Sequence, residues 1–372
     1  MTNNNWYLIS EPDQLDTPAL LVFPERVRAN IRTAIEMVDG DPGRLRPHVK
    51  TNKSAEVTRL MLDAGIRKFK CATIAEAEML GMCGAPDVLL AYQPLGPKLL
   101  RLVELIKKYP ETQYSCLTDH PDAAGQMSAV FTANDLTVPV YIDLNLGMNR
   151  TGIAGTGPAI DLYRHCASLP GIRPVGLQAY DGHIRQTDLA ARTVQCDEAF
   201  RTVETIQNAL FEAGFPAPVI VAGGSPTFPV HARRKGVECS PGTFVYWDKG
   251  YSDICPEQHF LPAAVLVTRV ISLPDERHVC TDLGHKSVAA ENEPGKRFFF
   301  LNADGLVPAG QSEEHLVLEA PEGHGYRPGA VLYALPYHVC PTVALYERVF
   351  TVEGGKLTGA WKNTARDRRI SV

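Results

Sequence analysis

Between residues 45 and 240 the chain alternates short β-prone runs with amphipathic helical patterns, and no other feature limits its fold so strongly. The strand candidates are 45–50 (LRPHVK), 66–71 (IRKFKC), 87–92 (DVLLAY), 113–117 (QYSCL), 137–145 (TVPVYIDLN), 173–180 (RPVGLQAY), 218–223 (PVIVAG) and 236–240 (GVECS). Helical patterns such as SAEVTRLMLDAG and GPKLLRLVELIKKY lie between most of them. Eight strands with intervening helices over about 200 residues predict a (β/α)8 TIM-type barrel. A doubly wound open sheet would carry a Gly-rich phosphate turn after its first strand, and the sequence has none. A further strand (PALLVF, 18–23) and an amphipathic helix (25–38) precede the alternating run.

The pattern changes after about residue 255. Strand-like runs such as AAVLVTRVISL, HVCTDL, RFFFL, HLVLEA, AVLYALPYHV and ERVFTVE follow without long helices between them. Turn signals separate them, among them LPDE, PGK, ADG, RPGA and EGGK. The expectation is an α/β fold: a barrel over 16–255 and a second, mostly antiparallel β-domain over 256–372. Residues 1–15 are expected to join that β-domain as an extra strand.

Charge narrows the function. The net charge is −5 and the sequence pI about 6.1, which argues against a general nucleic-acid binder. The first residues, MTNNNWYLISEPDQ, lack the apolar core of a signal peptide. No apolar run approaches the roughly 18 residues of a membrane-spanning helix. Nine cysteines are scattered with no C-x-x-C spacing, which reads as reduced thiols in a cytoplasmic protein.

In a barrel, chemistry collects at the C-terminal ends of the strands. The first expected strand ends at Lys50, the fifth runs into DLNLGMNRTG with Arg150, and the sixth ends at Tyr180. The seventh ends in AGGSPT, with Gly223, Gly224, Ser225 and Thr227, and the eighth in CSPGTF, with Gly242 and Thr243. A lysine buried at such a position can lose its proton and act in Schiff-base chemistry. The two small-residue loops offer backbone N–H groups and hydroxyls to an oxyanion such as a phosphate. Arg150 suits an anionic oxygen, and Tyr180 a flat ring. Each residue taken alone has a plain structural reading: a solvated lysine, a surface arginine, a core tyrosine, two βα turns. Their order along eight strands is the informative part.

Near the C-terminus, ALPYHVCPTVAL places His338 and Cys340 two residues apart. In an extended strand they would share a face. Imidazole and thiolate suit a soft transition metal. A structural zinc site takes four protein ligands, and no second pair is near. The sequence leaves three options: half a site, an open site, or two buried side chains.

Together, Lys50 in RPHVKTNK, Arg150 in NLGMNRTG, GLQAYDG, GGSPT and CSPGT resemble the alanine-racemase-type fold of pyridoxal-phosphate enzymes. PYHVCPT makes the chain similar to the D-threonine aldolase and D-serine dehydratase branch, whose members carry His-x-Cys or His-x-Asp before Pro-Thr. The resemblance runs from about residue 15 to 365. It implies that Lys50 holds pyridoxal 5'-phosphate covalently and that Arg150 donates to its phenolic oxygen. It further implies that Tyr180 packs by the ring, and that Gly223, Gly224, Ser225, Thr227, Gly242 and Thr243 surround the phosphate. His338 and Cys340 would bind a divalent metal: manganese, magnesium or zinc. A homodimer is also implied, with the β-domain of one chain facing the barrel mouth of the other.

The sequence departs from that pattern at three positions. Asn52 and Gln186 stand where histidines occur in related enzymes, and His183 lies close enough to Gln186 to serve as the base. Ser240 replaces an arginine that faces the pyridine nitrogen in alanine racemases. The implied substrate is a D-β-hydroxy amino acid. Cleavage of Cα–Cβ gives glycine and an aldehyde, as in D-threonine aldolase. Loss of the β-hydroxyl gives a 2-oxo acid and ammonia, as in D-serine dehydratase. The aldolase is the favoured reading and the dehydratase the alternative. A non-catalytic pyridoxal-phosphate-binding protein fits less well, because single-barrel proteins of that kind lack a second domain.

Overall fold

The computed structural model describes residues 5–372. The chain divides into two compact units rather than at a single cut near 255. One consists of Arg32–Lys50, Val57–Gly242 and Asp367–Val372; the other takes the chain up to Ile31, Thr51–Glu56 and Thr243–Arg366. The boundaries at Ile31/Arg32 and Glu56/Val57 fall inside the helices α1 (Pro24–Met37) and α2 (Ala55–Asp63).

The first strand, β1 (Ala19–Val22), belongs to the larger, mostly antiparallel sheet. The barrel strands follow as β2 (Lys68–Cys71), β3 (Asp87–Leu90), β4 (Gln113–Thr118), β5 (Val138–Asn145), β6 (Ile172–Tyr180), β7 (Val219–Ala222) and β8 (Val237–Cys239). They pair in parallel and in sequence order. The expected strand over 45–50 is irregular. It makes single bridges, Leu45 to Cys239 and His48 to Lys70. Pro47 has no N–H to give and interrupts any regular ladder. The backbone still bonds to both neighbours: Arg46 N–H to Cys239 O at 2.8 Å, Val49 N–H to Lys70 O at 2.9 Å. The segment thereby fills the eighth place and closes the ring.

Six helices alternate with these strands: α3 (Ile74–Met82), α4 (Pro97–Lys108), α5 (Pro121–Thr132), α6 (Thr156–Ala167), α7 (Leu189–Glu212) and α8 (Phe228–His231). Local sequence starts them. Thr73 accepts from Glu76 N–H and Asp188 from Ala191 N–H, while Pro97 and Pro121 occupy first-turn positions that need no donor. On β2 the pleat sends Phe69 and Cys71, both fully buried, to one face, and Lys68 and Lys70 to the other. The Lys68 and Lys70 face is the barrel interior, and its floor is polar. Arg46, 1% exposed, bonds Asp87 at 2.6 and 3.0 Å and Glu238 at 2.7 Å. Such a buried ion group holds only because both carboxylates satisfy the guanidinium.

The second unit is a nine-stranded sheet. Its remaining strands are β9 (Ala264–Ser272), β10 (His278–Thr281), β11 (Phe298–Phe300), β12 (Val307–Gln311), β13 (Leu316–Glu319), β14 (Val331–Pro336), β15 (Arg348–Glu353) and β16 (Lys356–Lys362). The order is β12-β13-β10-β9-β1-β15-β16, and β14 pairs with both β9 and β11. Within this sheet, among the described residues, only the β1–β15 pairing is parallel. Two short helices, α9 (Lys249–Ile254) and α10 (Val339–Leu345), complete it. Tyr7, Ile9 and Leu15 pack into its core with Leu21, Val265 and Tyr333. Each fully buried side chain of this size contributes about 1.5–3 kcal/mol. Residues 5–15 therefore join the unit by packing and form no strand. Residues 1–4 of the expected extra strand lie outside the described residues. Among the described residues, no helix is long and apolar enough to cross a membrane.

Candidate active site

Lys50, Arg150 and Tyr180 line one cavity of about 60 Å3, together with His48, Lys70, Asp143, Thr151 and Gln178. The closing segment delivers His48 and Lys50, two residues apart on one face, and the His48 ring accepts from Lys50 N–H at 3.3 Å. Lys70, 2% exposed, comes from β2. Burial pushes its amine down to about 7, the charge of Lys50 adds to the effect, and Asp143 opposes it. Asp143 lies at 7% exposure on β5. Burial raises its carboxyl to about 6, against a hydrogen bond from Thr151 and the charges of Lys70 and Arg150. Gln178 Oε1 is buried with no hydrogen-bond partner among the described residues.

Arg150 sits on a loop folded by its own asparagines. Asn145 Oδ1 accepts from the N–H groups of Gly147 and Asn149, at 3.0 and 3.1 Å. Gly152, at φ +98°, has no room for a side chain: a Cβ would stand 2.6 Å from Asn145 N. The loop brings the Arg150 guanidinium to 5.0 Å from the centre of the Tyr180 ring. Tyr180 is held between glycines. A Cβ on Gly182 would lie 2.0 Å from its hydroxyl oxygen, and one on Gly224 would lie 3.1 Å from Cε2. His183 is exposed and rests against Gly147, where a Cβ would come within 2.8 Å of Nε2.

The loop after β7 turns at Gly223, φ +80°. Thr227 is fully buried; its hydroxyl donates to Asp181 Oδ1 at 2.6 Å and accepts from Gly224 N–H at 3.3 Å. Thr227 thus shapes the loop that carries Gly224 and Ser225. Asp181 also meets His231 Nε2 at 2.8 Å and the Cys196 thiol at 3.4 Å. These three residues could enclose a metal by distance alone. Their atoms are already engaged: Arg234 lies 2.9 Å from His231 Nδ1, and burial pushes the Cys196 thiol up to about 12, away from thiolate. Burial would raise the Asp181 pKa, but the bond and charge of His231 and the donors Thr227 and Cys196 hold it below the usual range. The trio reads as a brace for the loop. Ser240 is buried, and its hydroxyl donates to Arg46 O at 2.9 Å.

Gly242 closes the barrel unit, and Thr243 begins the next stretch of the other. Within that second unit His338, Cys340 and Thr243 come together. Thr51 Oγ1 lies 3.1 Å and Thr243 Oγ1 3.6 Å from Cys340 Sγ. The extended-strand expectation for His338 and Cys340 does not hold. β14 ends at Pro336, His338 is the N-cap of α10, and Cys340 lies in its first turn. Pro341 occupies the third helical position, where no N–H is called on. The two side chains meet nonetheless. Burial lowers the imidazole pKa, but the bond and charge of Cys340, the Glu291 contact and the charge of Asp248 together raise it to about 9. Glu291 touches Nδ1 directly. Imidazole and thiol thus stand as neighbouring N and S donors of the kind zinc accepts, with Glu291 on the ring Nδ1.

The sequence reading overlooked Lys70, Asp143, Gln178 and Glu291. Lys70 and Asp143 stand at strand positions where a pleat in a barrel points inward, and that period was the available signal. Glu291 follows a loop with no pattern.

The family described as "Alanine racemase, N-terminal domain" matches residues 23–249, and the "Putative serine dehydratase domain" matches 263–352. The chain is 27% identical over 359 residues to a D-threonine aldolase of Arthrobacter sp, covering 95% of this chain and 93% of that one. It is 26% identical over 356 residues to the D-threo-3-hydroxyaspartate dehydratase of Delftia sp. (strain HT23), covering 89% and 93%. The solved structure of D-threonine aldolase from Filomicrobium marinum superposes with a TM-score of 0.87 at 25% identity, covering 95% and 96%. The chain belongs to the alanine racemase N-terminal domain family, in the branch of pyridoxal-phosphate lyases that joins this barrel to a serine dehydratase-type domain.

Proposed function

We propose that this protein is a pyridoxal-phosphate- and divalent-metal-dependent aldolase that cleaves D-threonine and related D-β-hydroxy amino acids to glycine and an aldehyde. The observation that carries the reading is the convergence of Lys50, Arg150 and Tyr180 on one cavity.

The residues suit the cofactor. Lys50 offers an amine for covalent attachment, Arg150 a fixed cation, and Tyr180 a ring face. Gly223 and Gly224 form a turn without side chains beside Tyr180, where a cradle for phosphate is wanted. When bound, pyridoxal phosphate supplies an electron sink at Cα, and a divalent metal supplies a Lewis acid toward the β-hydroxyl. Lys50 anchors the cofactor and exchanges a proton at Nζ. Asp143, close enough for its charge to be felt at Arg150, balances that guanidinium. Ser225, Thr227, Gly242 and Thr243 complete the phosphate surroundings. His183 takes the hydroxyl proton. His338 and Cys340 hold the metal, and Glu291 on the imidazole Nδ1 orients the ring. None of the nine cysteines is in a disulfide among the described residues, which suits a reducing compartment, and the enzyme is proposed to act as a homodimer.

A second reading is a D-serine dehydratase-type lyase, in which Lys50 withdraws the Cα proton and the β-hydroxyl departs. The thiol of Cys340, a ligand suited to zinc, favours it, as does the similarity to a dehydratase. Product analysis separates the two. With cofactor and metal supplied, D-threonine should yield equimolar glycine and acetaldehyde. Pyruvate and ammonia from D-serine, with no glycine from D-threonine, would sink the aldolase reading.

A further inference from the structure

His338 occupies the N-cap of α10, a position where Ser, Thr, Asp or Asn normally satisfies the first unbonded N–H groups of a helix. Its imidazole makes no such bond among the described residues and is turned instead to Cys340 and Glu291. A carboxylate from another element takes up the task. Asp248, 1% exposed, accepts the Val339 N–H on Oδ2 at 3.0 Å, while its Oδ1 accepts from Tyr251 N–H at the start of α9, at 2.9 Å. The same turn takes hold on the other side of His338: Gly250 N–H donates to Tyr337 O at 3.1 Å.

The backbone is thus gripped at residues 337 and 339, on both sides of His338. His338 itself is extended, at φ −133° and ψ 98°, and Cys340 lies in the helical turn that follows. The backbone of 338 and 339 therefore sets the angle between the two side chains. We propose that Asp248 is a positioning residue for this pair: it caps α10 in place of His338, holds the bend between imidazole and thiol, and lets the imidazole serve a divalent cation beside Cys340. The inference rests on the metal reading above and names the residue that prepares that site.

Neighbouring contacts make Asp248 the fixed point. Thr342 Oγ1 donates to His338 O at 2.8 Å and accepts from Ala289 N–H at 3.1 Å, and the Tyr346 hydroxyl donates to Ser287 O at 2.7 Å. The loop that carries Glu291 is therefore fastened to α10 and travels with it, while Asp248 and Gly250 tie α10 to α9. Val339 is fully buried, so its N–H is costly to leave unpaired. An asparagine at 248 has one carbonyl oxygen and can serve Tyr251 or Val339 well, but not both. A Cβ on Gly250 would stand 2.5 Å from Tyr337 O, and backbone has to shift to admit it. The charge of Asp248 is also felt at His338, so loss of charge has to be told apart from loss of position.

The test measures zinc affinity of the full-length chain supplied with pyridoxal phosphate, by competition with a chromophoric chelator. Visible absorption of the cobalt-loaded protein reports thiolate coordination and its geometry. Asp248→Asn and Gly250→Ala should each weaken zinc about 10- to 100-fold and alter the cobalt spectrum. Ser252→Ala removes a hydroxyl that donates to Asp248 O at 2.8 Å, in the same turn but away from α10, and should bind zinc as wild type does. Asp248→Asn with wild-type affinity and spectrum overturns the proposal, whatever its stability. Asp248→Asn weakened beside an unaffected Gly250→Ala also overturns it, because Asp248 then acts by charge alone. Equal weakening in Ser252→Ala overturns it too, since any loosening of that turn would suffice. Should Asp248→Asn fail to fold, Gly250→Ala decides. Wild-type protein that binds no zinc overturns the metal reading itself, and this inference with it; zinc bound equally by wild type and Asp248→Asn leaves that reading standing.

Discussion

The Thr227 hydroxyl donates to Asp181 Oδ1 across 2.6 Å, and this bond ties the loop after β7 to the end of β6. Both residues are buried, and the same carboxylate serves His231 and Cys196. Thr227→Val removes a donor from a buried carboxylate and an acceptor from Gly224 N–H. The expected cost is about 1.5–3 kcal/mol in urea unfolding of the apoprotein, with weaker uptake of pyridoxal phosphate. Because the folded-state pKa of Asp181 is lowered, its contribution is present above the unfolded value of about 3.9 and fades in acid. Asp181→Asn should therefore be clearly less stable than wild type at pH 7, and the gap should narrow below about pH 4.

Tyr180 depends on the absence of a side chain at residue 182. A Cβ there would stand 2.0 Å from the tyrosine oxygen and 2.2 Å from Cζ, so the ring must swing away. Gly182→Ala should leave the barrel folded, because the obstacle is the free end of a side chain. Arg150 then loses the ring beside it, and affinity for pyridoxal phosphate should fall roughly tenfold by fluorescence titration.

Lys70 should leave a pH signature in stability. Below about 7 both folded and unfolded chains carry its proton, and the burden of a buried ammonium is fully present. Between about 7 and 10.4 only the unfolded chain binds the proton, so stability rises with pH. Apo Lys70→Met should thus be more stable than wild type at pH 6, by up to a few kcal/mol, with the advantage shrinking toward pH 10. A constant difference across that range, measured by urea unfolding, would contradict the lowered proton affinity.

The proposed metal pair, His338 and Cys340, should separate from the Lys50 cavity by mutation. His338→Ala should abolish stoichiometric zinc or manganese binding and D-threonine cleavage, while the protein still turns yellow with pyridoxal phosphate. Glu291→Gln should weaken metal affinity about 10- to 100-fold, because its carboxylate sits on His338 Nδ1 and orients the ring. Loss of the visible band in His338→Ala would assign the cluster to folding instead.

Much of this architecture was legible in the chain because strand and helix periods differ and alternate cleanly from 45 to 240. The strand ends carrying Lys50, Arg150 and Tyr180 were legible for the same reason, and they meet in one cavity. Other features were hidden by tertiary context. Pro47 turns the 45–50 strand into isolated bridges, a change that propensity alone does not reveal. KFKC reads as an ordinary strand and does not show which face turns inward; a barrel has no solvent face on its inner side, so Lys70 is buried in the cavity. PYHVCPT reads as a strand because its residues are β-prone; Pro341 is accommodated in a helical first turn, and the pair meets there instead. Glu291 reaches His338 from a loop 47 residues earlier, a juxtaposition no local pattern encodes.

The most direct test of the account is to load the protein with pyridoxal phosphate, reduce it with borohydride and map the modified peptide by mass spectrometry. A single pyridoxyl group on Lys50, absent from Lys50→Ala, is the predicted result. A label elsewhere, or a colourless protein that takes none, would contradict it.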